Sequence, residues 1–111
     1  MPYKRFALST NMENIGFESF NRAGKTFVFT EMDLAITFCQ LSLLAHDPSK
    51  VIDGIRNARR AFRVASQKRK EIVLNEDERR ELGERVSRLR TLLREVARRK
   101  TPHIQQEALA K

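Results

Sequence analysis

The stretch DPSKVIDGIRNARRAFRVASQKRKEIVLNEDE, residues 47–78, decides the fold because it contains two helix starts and one complete helical seam. Asp47 is a good N-cap and Pro48 suits the first position of a helix, so a helix is predicted to begin there. The apolar residues that follow recur at steps of four and three, the spacing of one buried helix face. They are Val51, Ile55, Ala58, Phe62 and Ala65. Asn75 followed by Glu78 forms a capping box, which predicts the start of the next helix.

One more helix is predicted upstream of this stretch, and the capping box opens another downstream. The first helix is expected over residues 30–45, because Thr30 is a good N-cap. Its expected seam is Leu34, Phe38, Leu41 and Ala45. The third helix is expected from Asn75 to about Lys100, where Thr101-Pro102 stops it. Its expected seam is Leu82, Val86, Leu89, Leu93 and Val96. The short link before Pro48 makes the first two helices antiparallel neighbours.

These elements predict an all-α fold, a three-helix antiparallel bundle over residues 30–100 with a C-terminal tail over 101–111. Residues 1–29 contain five of the seven Phe, but no helical or strand period over most of their length. An irregular or partly extended N-terminal segment is therefore expected. Two alternatives stay open: this segment packs its phenylalanines onto the first helix, or it is loosely ordered.

Composition indicates one soluble intracellular domain. The chain has 111 residues, of which 41% are hydrophobic and 32% charged, with a net charge of +8. A single cysteine excludes an internal disulfide, and the N-terminus lacks the apolar core of a signal peptide. The longest apolar stretch, Leu34 to Ala45, is shorter than the ~20 residues that span a bilayer. We expect a basic cytoplasmic protein without a membrane span.

No catalytic, cofactor or metal site is predicted. Gly24-Lys25-Thr26 resembles the end of a phosphate-binding loop, but Ser19 occupies the place of the required first glycine. His46 and His103 are far apart and have no neighbouring cysteine or carboxylate cluster, as a metal site would need. Cys39 lies among apolar residues and has no activating base, so an inert buried thiol is expected. The chain is therefore not expected to be an enzyme.

Two candidate interaction surfaces emerge from the helical pattern. The first is a basic face of the second helix, which could contact a phosphate backbone or could simply pair with acidic residues of the third helix. It consists of Arg56, Arg59, Arg60, Arg63 and Lys70. The second is an apolar patch of Ile36 and Leu43, which lie on a different side of the first helix from its seam. This patch would be a partner site unless the N-terminal phenylalanines cover it.

Three short stretches carry a resemblance to known proteins. They are DLAITF at 33–38, NARRAF at 57–62 and DERREL at 77–82. Residues 30–98 resemble small uncharacterised bacterial three-helix proteins, and are more distantly similar to tetratricopeptide hairpins and to the microtubule-interacting-and-transport domain. Ala58, Phe62 and Ala65 match the small-large-small spacing of the second tetratricopeptide helix. The resemblance implies a helical scaffold that binds a peptide or protein, and it implies no catalytic residue.

The function expected from these observations is a non-catalytic protein-interaction or scaffold module that has a protein or peptide partner. The alternative is a nucleic-acid-associated protein that binds the phosphate backbone through its basic face without sequence preference. Whether the chain forms a homo-oligomer is left open.

Overall fold

The computed structural model describes residues 2–110, with the side chains of residues 16–99. It consists of three α-helices: α1 (Pro2–Leu44), α2 (Pro48–Arg69) and α3 (Glu76–Ala110). No strand occurs between residues 2 and 110. The predicted all-α, three-helix fold is confirmed.

The helices run up, down and up, with α1 in the middle. α2 returns along α1, and α3 then runs in the same direction as α1. The order of the α1–α3 contacts establishes this direction, because α1 residues 25, 33 and 43 meet α3 residues 78, 85 and 99 in turn. α2 and α3 each pack on α1 far more extensively than on one another. α1 is thus the helix that organises the fold.

The expectation for residues 1–29 is wrong. α1 begins at Pro2, so this segment is helical and Thr30 lies inside a helix instead of capping one. The link between α2 and α3 helps to hold this part of α1 in place. The Asn21 side-chain amide donates to the Val73 carbonyl at 2.9 Å, and its oxygen accepts from the Val73 N–H at 2.7 Å. The α3 boundary also differs from the prediction, because the helix continues through Thr101-Pro102 to residue 110.

The predicted caps of α2 and α3 are confirmed. The Asp47 carboxylate accepts from the backbone N–H of Ser49 at 3.0 Å, which holds the pKa of Asp47 below its ordinary value. At the start of α3, the Asn75 N–H donates to Glu78 at 2.9 Å and the Glu78 N–H donates to the Asn75 side chain at 2.8 Å. Lys25 of α1 also binds Glu78 at 2.9 Å, so the cap of α3 is joined to α1.

The core lies where α2 and α3 meet α1. Its buried side chains come from all three helices and from the link that follows α2. They are Val28, Met32, Ala35, Ile36, Cys39, Ala58, Ala61, Ala65, Ile72, Leu74, Leu82 and Leu89. The predicted seams of α2 and α3 contribute to this core as expected. Of the predicted seam of the first helix, Phe38 packs against the core, but Leu34 is 40% exposed and Leu41 is 56% exposed.

Small residues allow α2 to approach α1 closely. Gly54, Ala58, Ala61 and Ala65 are buried along one face of α2. A Cβ atom at Gly54 would collide with the Ser42 Oγ and lie 3.0 Å from the Phe38 carbonyl oxygen. The backbones therefore approach at this position as only glycine permits.

Candidate interaction surfaces

α1 carries a continuous row of exposed apolar side chains, which we call the α1 stripe. Its members are Phe20, Phe27, Leu34 and Leu41. Phe17 and Leu44 are also exposed, but they lie on opposite sides of the helix and do not belong to this row. The four members of the stripe are between 40% and 56% exposed, although each is a large hydrophobic residue. At 100° per residue, the four members from Phe20 to Leu41 lie within about 60° of one another on the helix. Scattered exposed apolar residues are ordinary in proteins, but a continuous row marks a contact surface.

The stripe points outward because α2 and α3 occupy the other faces of α1, and only at Phe20 does α2 reach it, where the Lys68 ammonium lies 4.5 Å from the ring centre. Gly24 packs against Ile72 beyond the end of α2. Asp33 faces α3, where its carboxylate lies 2.8 Å from the Arg85 Nε. Arg85 also lies over the Phe29 ring at 4.7 Å from its centre. These contacts fix the rotation of α1 about its own axis, so the stripe is presented on a rigid support.

The predicted apolar patch at Ile36 and Leu43 is not exposed, which is a correction. Ile36 is only 8% exposed and lines the groove between α1 and α3 beside Arg85. Leu43 is half-buried, and its carbonyl accepts from Arg99 of α3 at 2.9 Å. α3 therefore occupies this side of α1, and not the N-terminal phenylalanines, because residues 16–29 extend the same helix.

The basic face of α2 is exposed as predicted. Its five residues are Arg56, Arg59, Arg60, Arg63 and Lys70. Within residues 16–99 none of these side chains forms an ion pair or a hydrogen bond. The alternative of pairing with acidic residues of α3 is not seen within residues 16–99, because α2 and α3 both pack on α1 and scarcely contact each other. Five cations without carboxylate partners create a positive potential along this side of the molecule.

The phosphate-loop interpretation of Gly24-Lys25-Thr26 has no support in the geometry. These residues lie in the interior of α1, where a helix precedes them instead of a strand. The Lys25 ammonium is already paired with Glu78. No glycine-rich loop is therefore available here to surround a phosphate.

The thiol and the histidines are placed as follows. Cys39 is fully buried, and this burial raises the pKa of its thiol. Between residues 16 and 99 no three His, Cys, Asp or Glu side chains converge as a metal site would require. His46 is exposed in the link after α1, and His103 lies outside the residues whose side chains are described.

One helical stretch in the described part of the chain, Gly16–Leu44, is long and apolar enough to cross a membrane. The sequence expectation considered only the 12 residues from Leu34 and so underestimated the length of this helix. Length and composition alone do not distinguish a membrane span from the central helix of a soluble bundle, which meets the same criterion.

Comparison with known proteins does not assign a family. No family model, curated protein or solved structure matches the chain.

Proposed function

We propose that this chain is a non-catalytic helical scaffold, and that it holds a protein partner through the α1 stripe. The observation that carries the proposal is the exposure of four large apolar side chains on one face of the central helix. Together they expose about 370 Å² of apolar surface, taking roughly 200 Å² for a fully exposed large side chain. That area is within the range of the largest patches on monomeric proteins, which are often functional.

The stripe has the properties of a site for a helical partner. Its four side chains recur at steps of seven, so a second helix laid along α1 can contact them all. α1 is held by packing and ion pairs on its other faces, so little ordering is needed on binding. A preordered surface loses less free energy on association than a flexible one.

We place the protein in the cytoplasm without a membrane span. The basic face supports this placement, because α2 packs alongside the same part of α1 that would have to cross a bilayer. Burying Arg56, Arg60 and Arg63 near hydrocarbon would be costly. Asp33 and Lys25 would also have to enter the bilayer together with their partners on α3.

The proposal is tested with Phe27→Asp combined with Leu34→Asp, which puts two charges into the middle of the stripe. Ser87→Asp, on the exposed face of α3, is the matched control. Partner proteins recovered with the purified full-length chain from its native cells are expected to be lost with the double variant and kept with the control. Recovery of the same proteins with all three chains would contradict the proposal.

A second candidate function is binding of a nucleic-acid backbone through the basic face. The observation that favours it is the absence of carboxylate partners for these five cations within residues 16–99. If all five contact phosphates, affinity for duplex DNA should fall about 500-fold between 50 and 200 mM salt. Aromatic residues do not interleave with these cations on α2, so no base stacking is expected.

Fluorescence anisotropy with a generic duplex DNA and a generic RNA tests this candidate. Arg56→Glu, Arg60→Glu and Arg63→Glu together should abolish binding. Replacing Arg90, Arg94 and Arg98 of α3 by Glu changes the net charge equally and should weaken binding much less. No binding at low salt, or equal loss in both triple variants, would refute a role for this face.

A further inference from the structure

We infer that the nucleic acid bound by the basic face is double-stranded DNA, and that α2 enters its major groove. This inference rests on the second candidate function, because it names the ligand of the same surface and the way in which the helix meets it. Its basis is the composition and the position of the outer side of α2.

The outer side of α2 is made up of cations and one uncharged amide. From Gly54 to Lys70, six residues are exposed: Arg56, Arg59, Arg60, Arg63, Gln67 and Lys70. No exposed carboxylate or apolar side chain lies between residues 54 and 70, since the nearest exposed acids are Asp53 and Glu71. The segment therefore offers an unbroken row of hydrogen-bond donors to a polyanion.

This side of α2 faces directly away from the rest of the molecule. At 100° per residue, the six exposed residues are centred about 180° from the buried face that contains Gly54 and Ala58. The buried face packs on α1, where Gly54 meets Ser42. Around α1, the residues that meet α3 lie about 140° from those that meet α2. As seen from the outer side of α2, α3 therefore lies behind α1.

The dimensions of this arrangement match the major groove of B-form DNA. Packed helices have axes about 8–10 Å apart, so α2 projects beyond α1 by about that distance. The groove is about 12 Å wide and about 8.5 Å deep, and an α-helix is about 10–12 Å across. The exposed row is about 21 Å long, which corresponds to roughly six base pairs. α2 can thus enter the groove to about its full depth before α1 reaches the phosphates.

The cations are arranged for contacts with both strands. Arg59 and Arg60 are 100° apart around α2 and lie on opposite edges of the basic face, with Arg63 between them. The two walls of a major groove are the phosphate backbones of different strands, so these two arginines meet different strands. A single strand could satisfy only one edge of the face.

The composition of the outer side argues against other partners. Protein interfaces contain an apolar core, and a helix on a membrane surface inserts an apolar face, but the exposed row has no apolar member. A single-stranded nucleic acid is held by aromatic stacking, for which the row has no aromatic side chain. The major groove of duplex RNA is deep and narrow, and so does not admit a helix.

Fluorescence anisotropy with the full-length chain tests the choice of nucleic acid. The probes are a mixed-sequence DNA duplex of roughly two helical turns, the RNA duplex of the same sequence, and one DNA strand alone. The DNA duplex should bind at least ~10-fold more tightly than the other two. Equal affinity for the RNA duplex would overturn groove insertion and leave backbone binding standing. Failure to bind all three probes at low salt would refute the second candidate function as well.

A duplex with an obstructed groove tests the position of α2. Glucosylated 5-hydroxymethylcytosine in place of cytosine fills the major groove and leaves the backbone charge unchanged. Affinity should fall at least ~10-fold on this duplex, because α2 can no longer reach the groove floor. Netropsin, which occupies the minor groove, should change the affinity little. Equal binding to the modified and unmodified duplexes would place α2 outside the major groove.

Two single variants test contact with both strands. Arg59→Gln and Arg60→Gln should each reduce the slope of log affinity against log salt by about 0.9, the value for one lost phosphate contact. Arg90→Gln on α3 is the matched control and should leave the slope unchanged. Circular dichroism should show equal helix content in all of these proteins. A slope that responds to only one of the two α2 variants would mean that one strand alone is contacted, and would overturn the inference.

Discussion

Gly54→Ala is the sharpest test of how α2 packs on α1. In a free helix this change is favourable by about 1 kcal/mol, because alanine has the higher helix propensity. In this protein the added methyl group would collide with the Ser42 Oγ and lie 3.0 Å from the Phe38 carbonyl oxygen. The carbonyl belongs to the backbone of α1 and cannot rotate away. Relief therefore requires that α2 shift away from α1.

The expected loss of stability is the sum of two unfavourable contributions and one favourable one. Overpacking at a close helix contact costs about 1–3 kcal/mol. Ser42 is buried and donates to the Val51 carbonyl at 3.1 Å, and displacing its hydroxyl loses about 1 kcal/mol more. The gain in helix propensity offsets about 1 kcal/mol of this total. We expect Gly54→Ala to lower the free energy of unfolding by about 1–3 kcal/mol.

Urea denaturation followed by circular dichroism measures this change, and Gly83→Ala is its matched control. Gly83 lies inside α3, and a Cβ there would meet nothing within 4 Å. Alanine at 83 should therefore stabilise the protein by about 0.4–1 kcal/mol. Ser42→Ala combined with Gly54→Ala should recover part of the loss at position 54. An increase in stability with Gly54→Ala alone, equal to that at position 83, would refute the close approach of α2 to α1.

Three further outcomes are expected. Asn21→Ala should lower the free energy of unfolding by about 1–2 kcal/mol in urea melts, because it removes both hydrogen bonds to the backbone of Val73. An unchanged melt would mean that these two hydrogen bonds do not stabilise α1. The Asn75 N–H, and to a smaller extent Lys25, hold the pKa of Glu78 below its ordinary value. The ionised carboxylate therefore stabilises the fold above about pH 4.3, and this contribution disappears as the pH falls through the lowered pKa. The wild type should accordingly be more stable than Glu78→Gln at pH 7, and urea melts should show this difference shrinking as the pH falls below about 4.3; a constant difference would refute the linkage. Burial raises the pKa of the Cys39 thiol, so its reaction with an aromatic disulfide reagent should be at least ~100-fold slower in buffer than in urea; rapid labelling of the folded chain would show that the core is open.

The helix starts were predictable because their signals are local. Asp47 with Pro48, and Asn75 with Glu78, satisfy the free backbone N–H groups of their own helices within three residues. The seams of α2 and α3 were predictable for a similar reason, since each of these helices has a single apolar face opposite a charged one. The exposure of the basic face (residues 56, 59, 60, 63 and 70) was predictable because no other face of α2 is so basic.

α1 was misinterpreted because it is apolar on more than one side. Its heptad-spaced residues were expected to face the core, yet Leu34 and Leu41 are exposed while Ile36 is buried. Residues 16–29 showed no single-sided period, since their outward face carries Phe20 and Phe27. A usable signal was the absence of proline between residues 3 and 47, which leaves one uninterrupted helix possible.

The sequence by itself determined that the chain is helical, where α2 and α3 begin, and which side of α2 is charged. These properties depend on hydrogen bonds and spacings within a few residues. Only the tertiary structure decided which apolar side of α1 is covered. Two sides were available, and the choice depends on contacts between residues more than 50 positions apart, such as Asp33 with Arg85 and Lys25 with Glu78. Those contacts turn the α1 stripe toward solvent, and the interaction surface proposed for this protein follows from that orientation.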